Sequence, residues 1–408
     1  MQLPPDDFLH LTYCTNIHAA DGWPAVRDTI ARVAPALKAQ LAPTKPFGLG
    51  LRLSAREARE LASGPLGAFR TWLDAEGLYV ALINGFPYGP FHRSVVKAEV
   101  YAPDWRDDAR VAYTLDLVEI LRRLAPEGLD AGVSTAPLSY KAWMSVDDES
   151  SWKTVTANVV RVVERLAAIR RDEGTLIHLD IEPEPDCVLE TTDETIDFFE
   201  RWLLPFGAPL LAASTGGTLD DARRDLLDHV RVCFDCCHFA VEHEDPIAAI
   251  DRLRAAGIGI GRVQLSSALT AHVPDDARGQ AAAVARLRPF DDATYLHQVM
   301  RRGPAGIERF PDLGPALEHP AAGDWRIHFH VPLFTRDYDG LASTQSDVAR
   351  VIAAAEASRF TRHLEIETYT WDVLPGALKL DVVESIAREY DWVLRQTSTG
   401  RDRPIRTR

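Results

Sequence analysis

Along this chain, short runs of alternating or wholly apolar residues are separated by longer stretches whose apolar positions return every three or four residues. The short runs predict strands at FLHLTYCT (8–15), FGLGLRLS (47–54), LYVALING (78–85), DAGVSTAPL (130–138), LIHLDIEP (176–183), VRVCFDCC (230–237), GRVQLSS (261–267), WRIHFHVPL (325–333) and RHLEIETYT (362–370). The longer ones, such as WPAVRDTIARVAPALKAQL and SWKTVTANVVRVVERLAAIRR, predict amphipathic helices. Ser54 with Glu57, and Thr191 with Glu194, have the spacing of capping boxes at helix starts.

Strand and helix alternating about eight times implies parallel pairing through crossovers, and hence a (β/α)8 TIM barrel. One strand candidate is surplus. It is assigned to a long insertion after the seventh strand, at about residues 269–325, where Gly, Pro and Asp are frequent; WRIHFHVPL then returns the chain to the barrel mouth. The expected organisation is one barrel domain over 1–394 and a flexible, Arg-rich tail over 395–408. A doubly wound open sheet is the alternative, but neither GxGxxG nor GxxxxGK[ST] occurs.

Alternation also decides which side chains converge. One face of each barrel strand must be apolar to meet the helices, while inward residues near the C-terminal strand ends form the active site. In LIHLDIEP the inward set is His178, Asp180 and Glu182; in RHLEIETYT it is His363, Glu365 and Glu367; in WRIHFHVPL it is Arg326, His328 and His330. Applied to VRVCFDCC, the same rule turns Asp235 inward at the strand end, with His238 in the turn after it. It sends Cys233 and Cys236 to opposite faces, against a thiolate-ligated metal.

Glu182, Asp235, His238, His328, His330 and Glu367 therefore form a candidate metal-ligand set of oxygen and nitrogen donors, suited to Zn²⁺, Mn²⁺, Fe²⁺ or Co²⁺. Burying so many acids without a cation costs several kcal/mol each. His18 and Asn84 follow the first and third strands and should line the same mouth, and Tyr13, Phe86, Tyr88, Trp143 and Trp371 are candidate platforms for a sugar's carbon face. His10, His178 and His363 read as core residues, and His92, His229, His243 and His319 as surface or loop ones.

Composition narrows the partners. Lys and Arg number 45 against 60 Asp and Glu in 408 residues, and the net charge of −15 argues against nucleic acid. Five cysteines are too sparse for a disulfide framework, which points to a reducing, cytoplasmic setting. No apolar run reaches about 18 residues, so no membrane association is expected. A small polyhydroxylated metabolite is the expected partner; a homodimer is left open.

LDIEPEPD, CFDCCHFAVEHED, HFHVPLF and LEIETYTWDVLP, in this order, resemble the xylose-isomerase-like TIM barrels, which include sugar phosphate isomerases, epimerases and endonuclease IV enzymes. The resemblance implies that Glu182, Asp235 and Glu367 are metal ligands and that His238 binds metal or substrate. The expected reaction is metal-assisted isomerisation or epimerisation of a polyol or keto sugar, with Glu182 and Glu367 exchanging a proton as acid and base. The pattern breaks where relatives commonly carry a ligand histidine and this chain has Gln264, so Gln264 becomes a substrate-binding candidate and His328 or His330 the replacement ligand. HLTYCTNIH, NGFPYGPFH and VKAEVYAPDW resemble, more narrowly, the EboE-type barrels tied to metabolite traffic.

Overall fold

A computed structural model describes residues 1–90, 97–376 and 381–400. Strands β1 (His10–Tyr13), β2 (Phe47–Arg52), β3 (Leu78–Asn84), β4 (Ala131–Thr135), β5 (Ile177–Ile181), β6 (Val230–Asp235) and β7 (Ile260–Leu265) belong to one sheet with β14 (His363–Ile366). Its order is β1-β14-β7-β6-β5-β4-β3-β2, every pairing is parallel, and a parallel bridge between Cys14 and Gly50 joins the two end strands into a barrel. This is the expected (β/α)8 fold, with eight strands present at the expected places.

The helices begin and end where local chemistry sets their limits. Both capping boxes form: Ser54 accepts from the Glu57 amide, and Thr191 from the Glu194 amide. Helix Glu149–Glu173 starts at Asp148, which accepts from the Ser150 and Ser151 amides, and ends at Gly174, whose φ of 74° a side-chain-bearing residue rarely adopts.

The barrel interior is polar. Below the mouth, Arg262 donates to Asp180 Oδ2 at 3.0 Å and to Glu365 Oε2 at 3.2 Å, while His178 Nδ1 donates to Asp180 Oδ1 at 2.5 Å. Room for this set comes from glycines on neighbouring strands. A Cβ on Gly261 would lie 1.8 Å from Asp180 Oδ1, one on Gly132 2.4 Å from Asp180 Oδ2, and one on Gly50 1.6 Å from Glu365 Oε1. Small residues on some strands thus admit charged ones from others, in place of the branched aliphatic layers usual in such barrels.

The insertion is more structured than its composition suggests. Strands β8 (Ala268–Val273), β9 (Val299–Gly303), β10 (Gly306–Phe310), β11 (Gly323–His330), β12 (Asp337–Tyr338) and β13 (Leu341–Ser343) form a second, antiparallel sheet in the order β10-β9-β11-β8-β13-β12. It runs past the expected end at 325 to Ser343, because the β12–β13 hairpin folds back onto β8. At the C-terminus, helix Val382–Gln396 includes residues 395 and 396 of the expected tail, and 401–408 lie outside the described residues, as does His92. No described helix is long and apolar enough to cross a membrane.

Candidate metal centre

Strand β6 ends at Asp235, earlier than the expected 237, because Asp235 caps a short helix, Cys236–Val241. Its Oδ1 accepts from the Cys237 amide at 2.8 Å, the His238 amide at 3.1 Å and Ser266 Oγ at 2.6 Å. These contacts fix the carboxylate and leave Oδ2 to the barrel interior. All five cysteines are buried and unbridged, and Cys237 lies within ligand reach of His328 and His330.

Glu182 follows β5 and meets Asp235 through Gln264. With its amide oriented to satisfy both neighbours, the Gln264 –NH₂ donates to Asp235 Oδ2 at 3.1 Å and to Glu182 Oε1 at 3.0 Å. Glu182 Oε2 has no hydrogen-bond partner. Glu367 follows β14; its Oε1 accepts from Asn16 Nδ2 at 2.5 Å. Burial, then the charges of Asp235, Glu367 and Glu184, push the Glu182 carboxyl well above the usual range. Burial likewise raises Glu184 to about 8, although Tyr101 bonds to it.

Three imidazoles complete the mouth, each oriented through Nδ1. His238 Nδ1 donates to the Pro183 carbonyl at 2.8 Å, His330 Nδ1 to the Glu367 carbonyl at 2.8 Å, and His328 Nδ1 to Gln298 Oε1 at 2.7 Å. The Gln298 amide nitrogen in turn donates to the Tyr101 hydroxyl and the Pro185 carbonyl, which sets its own orientation. Nε2 of His238 and His328 is then the lone-pair atom, the state a metal-ligating histidine needs, whereas at His330 the charges of Cys237, Glu367 and Asp235 outweigh burial and hold its pKa well above the usual range. Burial lowers the pKa of both His238 and His328, keeping them neutral. Among the described residues four groups have donor atoms mutually within 4.8 Å: at the mouth Asp235, His238 and His330, Glu184, His238 and His328, and Cys237, His328 and His330, and away from it Asp130, His178 and His363.

The carboxylates Glu182, Glu184 and Glu367 and histidines His238, His328 and His330 face a cavity of about 550 Å³, together with Asn16, Asn84 and several aromatic residues. Asn84 is where it was expected; its Oδ1 accepts from the Phe86 amide. Three expected substrate contacts are placed elsewhere. Gln264 is fully buried between Asp235 and Glu182 and does not line the cavity. His18 packs edge-on against Tyr13, whose hydroxyl lies 3.2 Å from its Nε2. Trp371 sits on a helical turn past β14, and its ring meets Phe334 in the main core.

No protein-family model matches the chain, and no curated protein does. Solved structures do. One is the IolI protein with a binding zinc atom, 11% identical, with 96% of this chain and 99% of that one covered and a TM-score of 0.48. A second is a xylose isomerase-like TIM barrel protein from Mycobacterium smegmatis in complex with magnesium, 14% identical, covering 96% and 97%, TM-score 0.49. A third is the probable 3-DHS dehydratase AsbF of Bacillus anthracis, 12% identical, covering 93% and 97%, TM-score 0.47. At these values the assignment of the barrel rests on this chain's own strand order.

Sequence reasoning missed Glu184, Asn16, Gln298, Tyr101, Tyr295 and Tyr369 at the cavity and its supports. Glu184 carried a signal, since EPEPD places it two residues beyond Glu182. His229 was expected at the surface but is fully buried, its Nδ1 donating to the Ile177 carbonyl at 2.6 Å. His272, on β8, is exposed and paired with Asp324.

Proposed function

We propose that this chain is a divalent-metal-dependent isomerase or epimerase acting on a sugar, polyol or related small metabolite. One observation carries the reading: Glu182, Asp235, Gln264 and Glu367, from four strand ends, converge with His238 and His330, and no lysine or arginine among the described residues is paired to any of the three acids. Glu182, Asp235 and Glu367 with His238 or His330 would hold the ion. Gln264 fits this role once its amide turns, which presents its carbonyl oxygen beside the two carboxylates. A bound divalent ion would polarise a substrate carbonyl and lower the cost of forming an enediolate.

The remaining work falls to the chain's own groups. Glu182 Oε2, buried and without a partner, would take a proton from the carbon beside the carbonyl. Glu367, steadied by Asn16, is the carboxylate to return it. Asn84 is positioned at the cavity wall to bind a substrate hydroxyl. Metal analysis of freshly purified protein tests the reading, which fails if Glu182→Gln and Asp235→Asn leave metal content unchanged.

Glu184, His238 and His328 support a second reading, a multi-metal phosphodiesterase, because they could hold a further cation. The −15 net charge and the outward position of His272 count against it. Gln264 satisfying both carboxylates without an ion is what a non-catalytic, metabolite-binding barrel would need. The narrower resemblance to EboE-type proteins supports a place in the synthesis or traffic of an exported metabolite.

A further inference from the structure

The cavity has two unlike halves. Its floor holds the carboxylates and imidazoles described above, while its upper wall consists of Phe86, Val100, Tyr101, Tyr295, Leu296 and Tyr369. The polar atom of Tyr101 is engaged by Gln298, and Tyr295 and Tyr369 pack edge to face with ring centroids 5.1 Å apart. Val100 and Leu296 offer no side-chain hydrogen-bond partner at all. A molecule hydroxylated on every carbon would leave hydroxyl groups dry against Phe86, Val100 and Leu296, a cost that an apolar substituent avoids.

Charge restricts the ligand further. Lys97 is the one lysine or arginine among the described lining residues, and it is engaged by Asp312 and the Asp292 carbonyl. The acids that line the floor are Glu182, Glu184 and Glu367. A phosphate ester would meet these acids and find, among the described lining residues, no lysine or arginine other than Lys97, already paired with Asp312.

We infer that the substrate is uncharged and amphiphilic: adjacent oxygens at the carboxylate and histidine floor, and an aryl or alkyl substituent against the aromatic wall. This rests on the metal-dependent reading for the oxygen end alone; the wall selects the substituent independently. A separate apolar group on the same molecule thereby takes the place of the sugar face expected, from the sequence, to stack on an aromatic ring.

Equilibrium binding of phenyl β-D-glucopyranoside, D-glucose and D-glucose 6-phosphate to manganese-loaded protein tests it. The phenyl glucoside should bind at least fivefold tighter than glucose, the phosphate ester no tighter than glucose, and the double variant Tyr295→Ala, Leu296→Ala should abolish the phenyl advantage. An advantage below fivefold, its survival in that variant, tighter binding of the phosphate ester, or no measurable binding of the phenyl glucoside overturns the inference. Repeating the titrations after chelation separates the two ideas. If the metal reading alone is wrong, added manganese changes nothing and the phenyl advantage persists.

Discussion

Two layers of one barrel interior, separated by a single inward step along the strands, treat buried charge in opposite ways. In the lower layer Asp180 and Glu365 share Arg262, and His178 bonds to Asp180. In the upper layer Glu182, Asp235 and Glu367 are joined by the neutral amide of Gln264 and by imidazoles, with no guanidinium or ammonium group bonded to them among the described residues. Contacts with His178 and Arg262 hold the Asp180 carboxyl below its usual range against burial, whereas burial and neighbouring acids drive Glu182 far above. Glu365 is intermediate: burial lifts it to about 7 in spite of Arg262, with Glu367 above it adding to the rise. Closed charge is structural; open charge at a strand end is what the proposed metal site would use.

The sharpest way to break this contrast is to open the closed layer. Arg262→Met should cost about 3–5 kcal/mol, because it strands two buried carboxylates, and urea denaturation will read it. A loss no larger than a surface substitution gives would show that the lower layer is not held by Arg262. A second prediction uses His229, away from both layers, to set the pH background. Burial holds its pKa down to about 4 against an ordinary 6.5, so between those values the unfolded chain binds a proton that the folded one does not. Stability should therefore fall as pH drops from 6.5 to 4, by up to ~3 kcal/mol from this group, and His229→Gln should flatten that part of the profile.

Crowding the lower layer should cost less. Gly261→Ala sets a methyl group against Asp180, which Arg262 and His178 hold in place, and a loss of about 1–3 kcal/mol is expected. The smallest effect has the opposite sign. In metal-free protein Glu182→Gln removes an uncompensated buried acid and should leave stability unchanged or raise it by about 1 kcal/mol. A large loss would place Glu182 in the structural class with Asp180.

The contrast between layers was partly legible beforehand. Strand alternation is strict, so His178, Asp180 and Glu182, and likewise His363, Glu365 and Glu367, could be turned inward without coordinates. Alternation says nothing about which strand a side chain leans toward, so the bridging position of Gln264 and the partnership of Arg262 with Asp180 and Glu365 were hidden. His18 and Trp371 were misplaced for a related reason: both lie on 3₁₀ turns or just beyond them, where a period of two no longer fixes direction. The insertion read as loop because its strands are short, and GIERF and VMRRG carry charges on a half-exposed surface. Tyr369, two residues beyond Glu367, carried the same alternation signal, whereas Tyr295 could be found only once the insertion had been folded over the mouth.

The central claim is that the open layer holds a divalent ion, and calorimetric titration of chelator-treated protein tests it most directly. Zn²⁺ or Mn²⁺ should bind wild-type protein stoichiometrically, raising stability by about 2.7 kcal/mol at a free concentration a hundredfold above Kd, while Glu182→Gln and Asp235→Asn each abolish the heat. No saturable binding to the wild type, or undiminished binding to both variants, would contradict the account.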